Sequence, residues 1–420
     1  MKYRTQILPN VYLTSVQTDK FKTGCFSVNL LRPLRREEAA ANALIPSVLL
    51  RGSEKYPDIR SISAHLDELY GASMGTLIRK KGEVQFVGFF ADYLEDTFAH
   101  EPIFSRMADF VAEILLHPVL ENGAFGKEAT AGEKWNLANT IESRINDKRS
   151  YAVSQLLKNM CRDEIYGIPR LGDLEDLEKI DEVSLYQSYR DILKNSQIEI
   201  FYMGRIAPEA ATEKFREVFQ ELPRGTAVPF GTKYVPSASE VREVTEALDV
   251  TQGKLSLGFR TGCTVSDPGY PALVVMNTIY GGGITSKLFQ KVREEQSLCY
   301  YASSSVEKFK GVMVVSSGIE FSEFETAKHE ILRQLQECRD GHITQEEFDS
   351  AKRYLLSDLK AGLDSPGRLD DFYMGQIMAG LDGSMEDLAT GIEAVTMEET
   401  VDAARRVSLD TVYFLKGVEA

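Results

Sequence analysis

Cysteine is scarce in this chain. Five cysteines occur among its 420 residues, namely Cys25, Cys161, Cys263, Cys299 and Cys338. Their number is odd, and no two of them have the CxxC spacing that is typical of thiolate zinc sites. The sequence therefore argues against a disulfide framework and against a thiolate zinc site. It predicts a reducing compartment, which we take to be the cytoplasm.

Long apolar runs are also missing. The chain has no stretch of about 20 apolar residues, which a membrane-spanning helix requires. Residues 1–15 lack the apolar segment of a secretory signal peptide. Positive charge is in deficit, because 63 Asp and Glu residues outnumber 48 Lys and Arg residues and give a net charge of −15. We therefore expect a soluble protein that binds neither a membrane nor nucleic acid.

What the chain does contain is one pattern twice. Its apolar periodicity predicts, in each half, a strand, two helices, two strands joined by a turn, and a long helix. In the first half these segments are 24–33, 36–53, 60–73, 75–81, 82–90 and 104–118. In the second half they are 254–263, 270–283, 286–297, the strand pair within 299–320, and 321–341.

The repeat predicts two copies of one α+β module, because a chain of this length is too long for a single ordinary core. We assign residues 1–222 to the first domain and 241–420 to the second. The intervening segment 223–240 is rich in Pro, Gly and Ser and has no period, so it is expected to be a linker. The alternative is a pair of unrelated α+β domains.

A glycine-rich stretch opens the second of the paired helices in the second half. Residues 281–301 read GGGITSKLFQKVREEQSLCYY. A phosphate-binding P-loop would need a second glycine five positions after the first, followed by lysine, and a dinucleotide fingerprint would follow a strand. Neither condition is met. The plain structural interpretation is that the glycines end a helix and that Leu288, Val292 and Leu298 form a core stripe.

Arg293 and Tyr300 in the same stretch are not explained by packing. They lie seven positions apart, which is about two turns if one helix continues through both, and their side chains would then face the same way. A guanidinium group suits carbonyl or carboxylate oxygens, and a phenol can donate a hydrogen bond to an oxyanion. Neither side chain is a nucleophile or a typical zinc ligand.

This stretch resembles the motif in the C-terminal half of the pitrilysin family of zinc peptidases, which includes mitochondrial processing peptidase. The positions in register are Gly281, Gly282, Gly283, Leu288, Phe289, Val292, Arg293, Glu294, Leu298 and Tyr300. The resemblance implies two homologous α/β-roll domains, with helices packed on antiparallel-rich sheets, arranged as a clam-shell pair. It also implies that Arg293 and Tyr300 hold the substrate backbone and the tetrahedral intermediate, and that the three glycines contact substrate.

The zinc site of that family is not present at the matching positions. The family places His-x-x-Glu-His on the first helix, where two histidines bind zinc and the glutamate activates a water. Here those three positions are Ala43, Pro46 and Ser47, and residues 40–52 contain no His, Asp or Glu. Glu133 lies where the resemblance places the third zinc ligand. We expect it to be a solvated helix position, and we expect no metal in this chain.

The resemblance therefore implies a particular kind of subunit. In some pairs of this family one chain carries His-x-x-Glu-His and the other carries the Arg/Tyr pair. We expect this chain to be the subunit without zinc of such a heterodimer, with Arg293 and Tyr300 supplied to a zinc-bearing partner that cleaves a peptide or an unfolded polypeptide. The alternative is a catalytically inactive scaffold or peptide-binding protein in a larger complex, and a homodimer also remains open.

Overall fold

The computed structural model describes residues 2–418. The first half of the chain contains the following elements: β1 (Lys2–Leu8), β2 (Val11–Gln17), β3 (Thr23–Pro33), α1 (Arg36–Leu49), α2 (Ile59–Glu68), β4 (Ser73–Lys81), β5 (Val84–Leu94), α3 (Asp96–Ala99), α4 (Ile103–Leu116), β6 (Leu120–Glu121), β7 (Ala124–Phe125), α5 (Lys127–Glu142), α6 (Lys148–Met160), α7 (Leu174–Glu178), α8 (Glu182–Asn195), β8 (Gln197–Gly204) and α9 (Pro208–Val218).

The second half continues with β9 (Arg242–Leu248), β10 (Gly253–Arg260), α10 (Tyr270–Tyr280), a π-helix (Leu288–Glu295), β11 (Tyr301–Glu307), β12 (Val312–Ile319), α11 (Phe324–Arg339), α12 (Gln345–Gly362), α13 (Pro366–Met378), α14 (Met385–Ala394), α15 (Met397–Arg406) and β13 (Ser408–Gly417). Short 3₁₀ turns lie at Ser143–Asn146, Ile165–Gly167 and Phe321–Glu323. Within residues 2–418, none of these helices combines the length and the apolar character needed to cross a membrane.

The two large sheets repeat one topology. The first has the strand order β1-β2-β8-β3-β5-β4, and the second has the order β11-β12-β10-β13-β9. In reverse, the order of the second sheet is β9-β13-β10-β12-β11, which corresponds strand for strand to β2-β8-β3-β5-β4 of the first sheet. Among the described strands, β1 has no counterpart in the second sheet. The pairs β2–β8 and β9–β13 are parallel, and every other matched pair is antiparallel. The prediction of two homologous α+β modules is therefore confirmed, and the alternative of unrelated domains is wrong.

Helices bury an apolar stripe against each sheet. In the first module, α4 has apolar residues at helical spacing, and Phe104, Met107, Phe110 and Val111 are buried. Phe104 meets Phe26 of β3 edge-on, with ring centroids 6.5 Å apart. In the second module, α11 has the matching place in chain order and buries Ala327, Ile331 and Leu335. These stripes explain why the sequence periodicity was enough to predict the module.

The chain divides into two compact units at boundaries that differ from the predicted ones. One unit contains the residues up to Glu142 together with Ile168–Gly231, and the other contains Ser143–Gly167 together with the residues from Thr232 onward. The prediction of a first domain at 1–222 and a linker at 223–240 therefore needs a correction, because Ser143–Gly167 belongs to the second unit. Residues 223–240 contain no helix or strand, and the boundary between the two units falls within them, after Gly231.

Buried charges attach the segment Ser143–Gly167 to the second unit. Glu164 lies 2.5 Å from the Nη2 of Arg260 and 2.7 Å from the Nζ of Lys310. The Nε of Arg260 lies 2.8 Å from the Oδ2 of Asp410. Arg260 and Lys310 are 2% and 0% exposed. The four charges balance, and α6 adds Leu156 and Met160 to an apolar cluster with β12 and β13. Because the contacts join residues about 100 or more positions apart, local sequence patterns do not reveal them.

Candidate functional site

The glycine-rich loop begins where α10 ends. The carbonyl of Gly281 accepts a hydrogen bond from the backbone N–H of Ser304 in β11, at 2.8 Å. A Cβ added at Gly281 would lie 2.6 Å from the Oγ of Ser304 and 2.7 Å from its backbone nitrogen. A Cβ added at Gly282 would lie 2.8 Å from the Cα of Thr278, whereas nothing lies within 4 Å of one added at Gly283. Gly281 therefore permits close packing of the loop on β11.

The first testable consequence concerns stability. Gly281→Ala is expected to lower the free energy of unfolding by about 1–3 kcal/mol, because the added methyl group collides with backbone that cannot move freely. Gly283→Ala is the matched control and should change stability by less than about 0.5 kcal/mol. Urea unfolding of both variants checks the difference. Equal stability of the two variants would contradict the packing role of Gly281.

The helix after the glycines is a π-helix rather than an α-helix. Leu288 and Val292 are fully buried and Leu298 is partly buried, so the predicted core stripe is present. The helix ends at Glu295, and Ser297 has the left-handed φ of 53°. The N–H of Ser297 donates to the carbonyl of Arg293 at 3.1 Å. No single helix therefore runs through both Arg293 and Tyr300. π-helical turns occur frequently at functional sites.

Arg293 and Tyr300 nevertheless line the same cavity. The cavity has a volume of about 450 Å³, and its lining residues are Arg293, Glu294, Ser297, Leu298, Cys299, Tyr300, Glu320 and Glu323. The left-handed turn at Ser297 changes the direction of the chain after the π-helix. Tyr300, which directly precedes β11, therefore lines the same cavity as Arg293. Among the described residues that line this cavity, Gly281, Gly282 and Gly283 do not appear.

Both donors of the pair lie at the protein surface. Tyr300 is 58% exposed, and its hydroxyl donates a hydrogen bond to Glu320. This hydrogen bond, together with the negative charge of Glu320, raises the pKa of the Tyr300 phenol. The guanidinium of Arg293 stacks 4.6 Å above the ring of Phe289, and its Nε lies 3.5 Å from the carboxylate of Glu294. The cavity therefore offers two hydrogen-bond donors beside three carboxylates.

The positions that match the family's zinc motif lie on α1. Ala43 and Pro46 are buried and Ser47 is half-buried. The helix extends to Leu49, past Pro46, although proline cannot donate the hydrogen bond that the carbonyl of Asn42 would accept. None of the three side chains can replace a zinc-binding imidazole or the glutamate that activates water. Within residues 2–418, no group of three or more His, Cys, Asp or Glu side chains is arranged to hold a metal ion.

Glu133 does not have the solvated environment that the sequence suggested. Its side chain is 14% exposed and lies 2.8 Å from the Nε of Arg51. Gly132 makes room for this arginine, because a Cβ there would lie 2.9 Å from an Nη2 of Arg51. Arg51 follows Ser47 by four residues. The guanidinium group of Arg51 thus neutralises the carboxylate at this position.

Sequence reasoning missed Glu320, Glu323 and Arg51. Glu320 follows directly on β12, and a carboxylate at a strand end has no distinctive pattern. Arg51 belongs to the Leu-Arg-Gly-Ser segment that anchored the comparison of α1, but nothing local links it to Glu133, which lies 82 positions later in the sequence. Only the internal repeat offered a signal, since it predicts that β11 and β12 pair and so bring their ends together.

Comparison with known proteins identifies a protein family that this chain resembles. The profile described as Peptidase M16 inactive domain matches residues 179–355. The protein named "Probable inactive metalloprotease YmfF" of Bacillus subtilis is 34% identical over 409 residues, which are 96% of this chain and 95% of that protein. The "Uncharacterized zinc protease Rv2782c" of Mycobacterium tuberculosis is 27% identical over 309 residues, 71% of this chain and 68% of that protein.

Solved structures match over the whole length. The crystal structure of a conserved protein from Enterococcus faecalis V583 has a TM-score of 0.91 at 30% identity, and the match covers 100% of this chain and 99% of that one. A crystal structure described as peptidase M16 inactive domain from Pseudomonas fluorescens has a TM-score of 0.81 at 18% identity, with 100% and 98% coverage. The second likeness shows the fold alone.

Proposed function

The chain belongs to the peptidase M16 family as an inactive metalloprotease homologue, and from this premise we propose that it is the subunit without zinc of a two-chain metallopeptidase. In this proposal the partner is a homologous chain that carries His-x-x-Glu-His and its zinc. This chain contributes Arg293 and Tyr300 to hydrolysis of a peptide or an unfolded polypeptide.

The observation that carries the proposal is the composition of the cavity. Arg293 and Tyr300 present a guanidinium group and a phenol to one cavity. Such donors can bind the oxygen of a scissile carbonyl and stabilise the oxyanion that forms from it. They cannot activate a water molecule, for which a zinc ion and a carboxylate base are the family's means. A second chain with these groups would complete the reaction.

The partner is expected to be a different chain. Two copies of this protein would have two Arg/Tyr pairs and, at the matching positions of α1, two sets of Ala43, Pro46 and Ser47. The proposal places the pair in the cytoplasm, because all five cysteines are free thiols, which suits a reducing compartment.

A reconstitution experiment tests the proposal. The chain is purified alone and mixed with a similar-sized homologue, encoded by a neighbouring reading frame, that carries His-x-x-Glu-His. Hydrolysis of a quenched peptide library is measured with and without a chelator, and bound metal is analysed. We expect activity only in the mixture, and loss of that activity with the chelator.

Two other outcomes would overturn the proposal in different ways. Activity and one bound zinc in this chain alone would show that it has a metal site outside the positions on α1. A stable complex without hydrolysis, with or without metal, would favour the scaffold or peptide-binding function instead.

A further inference from the structure

Glu320 is held against Tyr300 by the backbone of two paired strands. Tyr301 at the start of β11 pairs with Gly318 near the end of β12, and the N–H of Tyr300 donates to the carbonyl of Gly318 at 2.8 Å. Glu320 follows β12 directly. The residue just before one strand and the residue just after the other are therefore neighbours whatever their side chains do. The two side chains share a hydrogen bond across this fixed spacing.

A phenol has only one proton to donate. In this structure that proton is donated to Glu320. Before Tyr300 can donate to the oxygen of a substrate, its bond to Glu320 must break. The bond is charge-assisted, and such bonds are about twice as strong as neutral ones. The carboxylate would also repel an oxyanion formed beside it, so its charge opposes the interaction proposed for Tyr300.

We propose that Glu320 is a positioning residue that holds the hydroxyl of Tyr300 away from the substrate, so that exchange of this hydrogen bond limits the contribution of Tyr300 to catalysis. The inference rests on the proposed function, and it goes beyond that function by naming the residue that controls the phenol. Glu320 acts through Tyr300 alone, and it takes no part in breaking the peptide bond.

The test compares a carboxylate of the cavity with one outside it. Glu320→Gln keeps the shape of the side chain and removes its charge. Glu325→Gln is the matched control, because Glu325 is not among the residues that line the cavity and its exposed carboxylate pairs with Lys328 at 3.0 Å. In the two-chain mixture, Glu320→Gln is expected to raise kcat about three- to tenfold with little change in KM, since a neutral acceptor releases the phenol more readily. Glu325→Gln should leave kcat unchanged.

A double variant separates this role from a general structural effect. In a Tyr300→Phe background no hydroxyl remains to be released, so Glu320→Gln should bring no gain in kcat. An equal gain with and without the hydroxyl would overturn the proposal. So would an unchanged or lowered kcat in the single variant.

A second measurement needs no activity. The absorbance of tyrosinate is followed against pH for the chain alone, and subtraction of the Tyr300→Phe curve isolates one phenol. Glu320 raises the pKa of Tyr300, so Glu320→Gln should move this difference curve to lower pH, while Glu325→Gln should not move it. If the mixture cleaves no peptide, the proposed function fails and this titration decides about Glu320. A difference curve that does not move in Glu320→Gln would contradict the proposal that Glu320 binds the hydroxyl of Tyr300.

Discussion

Arg293→Ala and Tyr300→Phe are each expected to lower peptide hydrolysis by the two-chain mixture about 100- to 1,000-fold. Loss of a single hydrogen-bond donor to a developing oxyanion commonly has an effect of this size. The loss should appear mainly in kcat, because such a donor acts in the transition state more than in the bound substrate. Steady-state kinetics with a quenched peptide, at a fixed ratio of the two chains, measure the effect.

Lys291→Ala is the matched control for the arginine. Lys291 lies on the same π-helix and is also a cation, but its Nζ pairs with Glu295 at 2.6 Å, and it is not among the residues that line the cavity. It should retain the rate of the unaltered chain. All three variants should unfold at the same urea concentration as the unaltered chain, because none of these side chains is buried. Unchanged turnover in both Arg293→Ala and Tyr300→Phe would remove the roles proposed for them.

Glu164→Ala is expected to lower the free energy of unfolding by about 3–5 kcal/mol, which is the usual consequence of removing one member of a buried ion pair. Arg260 and Lys310 would both lose the carboxylate that they share, and Asp410 would remain the partner of Arg260. Asp163→Ala is the matched control. Its carboxylate is 73% exposed and lies 3.4 Å from Arg242, so its loss should change stability by less than about 1 kcal/mol.

Glu164 should also make the stability of the fold depend on pH. Burial alone would raise the pKa of Glu164, but hydrogen bonds from Arg260 and Lys310 outweigh burial and hold its pKa below the ordinary value. A carboxyl group whose pKa is lower in the folded state stabilises the fold above its unfolded pKa, and this stabilisation is lost as pH falls through the folded pKa. Urea unfolding between neutral and acidic pH should therefore show a smaller loss for Glu164→Gln than for the unaltered chain. An identical loss would contradict this assignment.

Local sequence patterns were enough to predict part of the candidate site. The roles of Gly281, Leu288 and Val292 can be predicted from a short segment alone. A glycine allows two backbone segments to approach closely, and apolar side chains at helical spacing share one face of a helix. The sequence did not reveal the type of helix, because residues four apart, such as Leu288 and Val292, lie near one face of an α-helix and also of a π-helix. The turn at Ser297 also escaped prediction, because serine rarely takes a left-handed φ.

The sequence by itself determined that this chain contains one α+β module twice, that α1 lacks the residues for a zinc site, and that Arg293 and Tyr300 stand in a stretch that resembles a family motif. Each of these follows from periodicity or residue identity within a short segment. Only the tertiary structure decided that Ser143–Gly167 belongs to the second unit, that Arg51 neutralises Glu133, and that Glu320 binds the hydroxyl of Tyr300. These contacts join segments distant in the chain, and their energies depend on burial and charge, which exist only once the strands have paired.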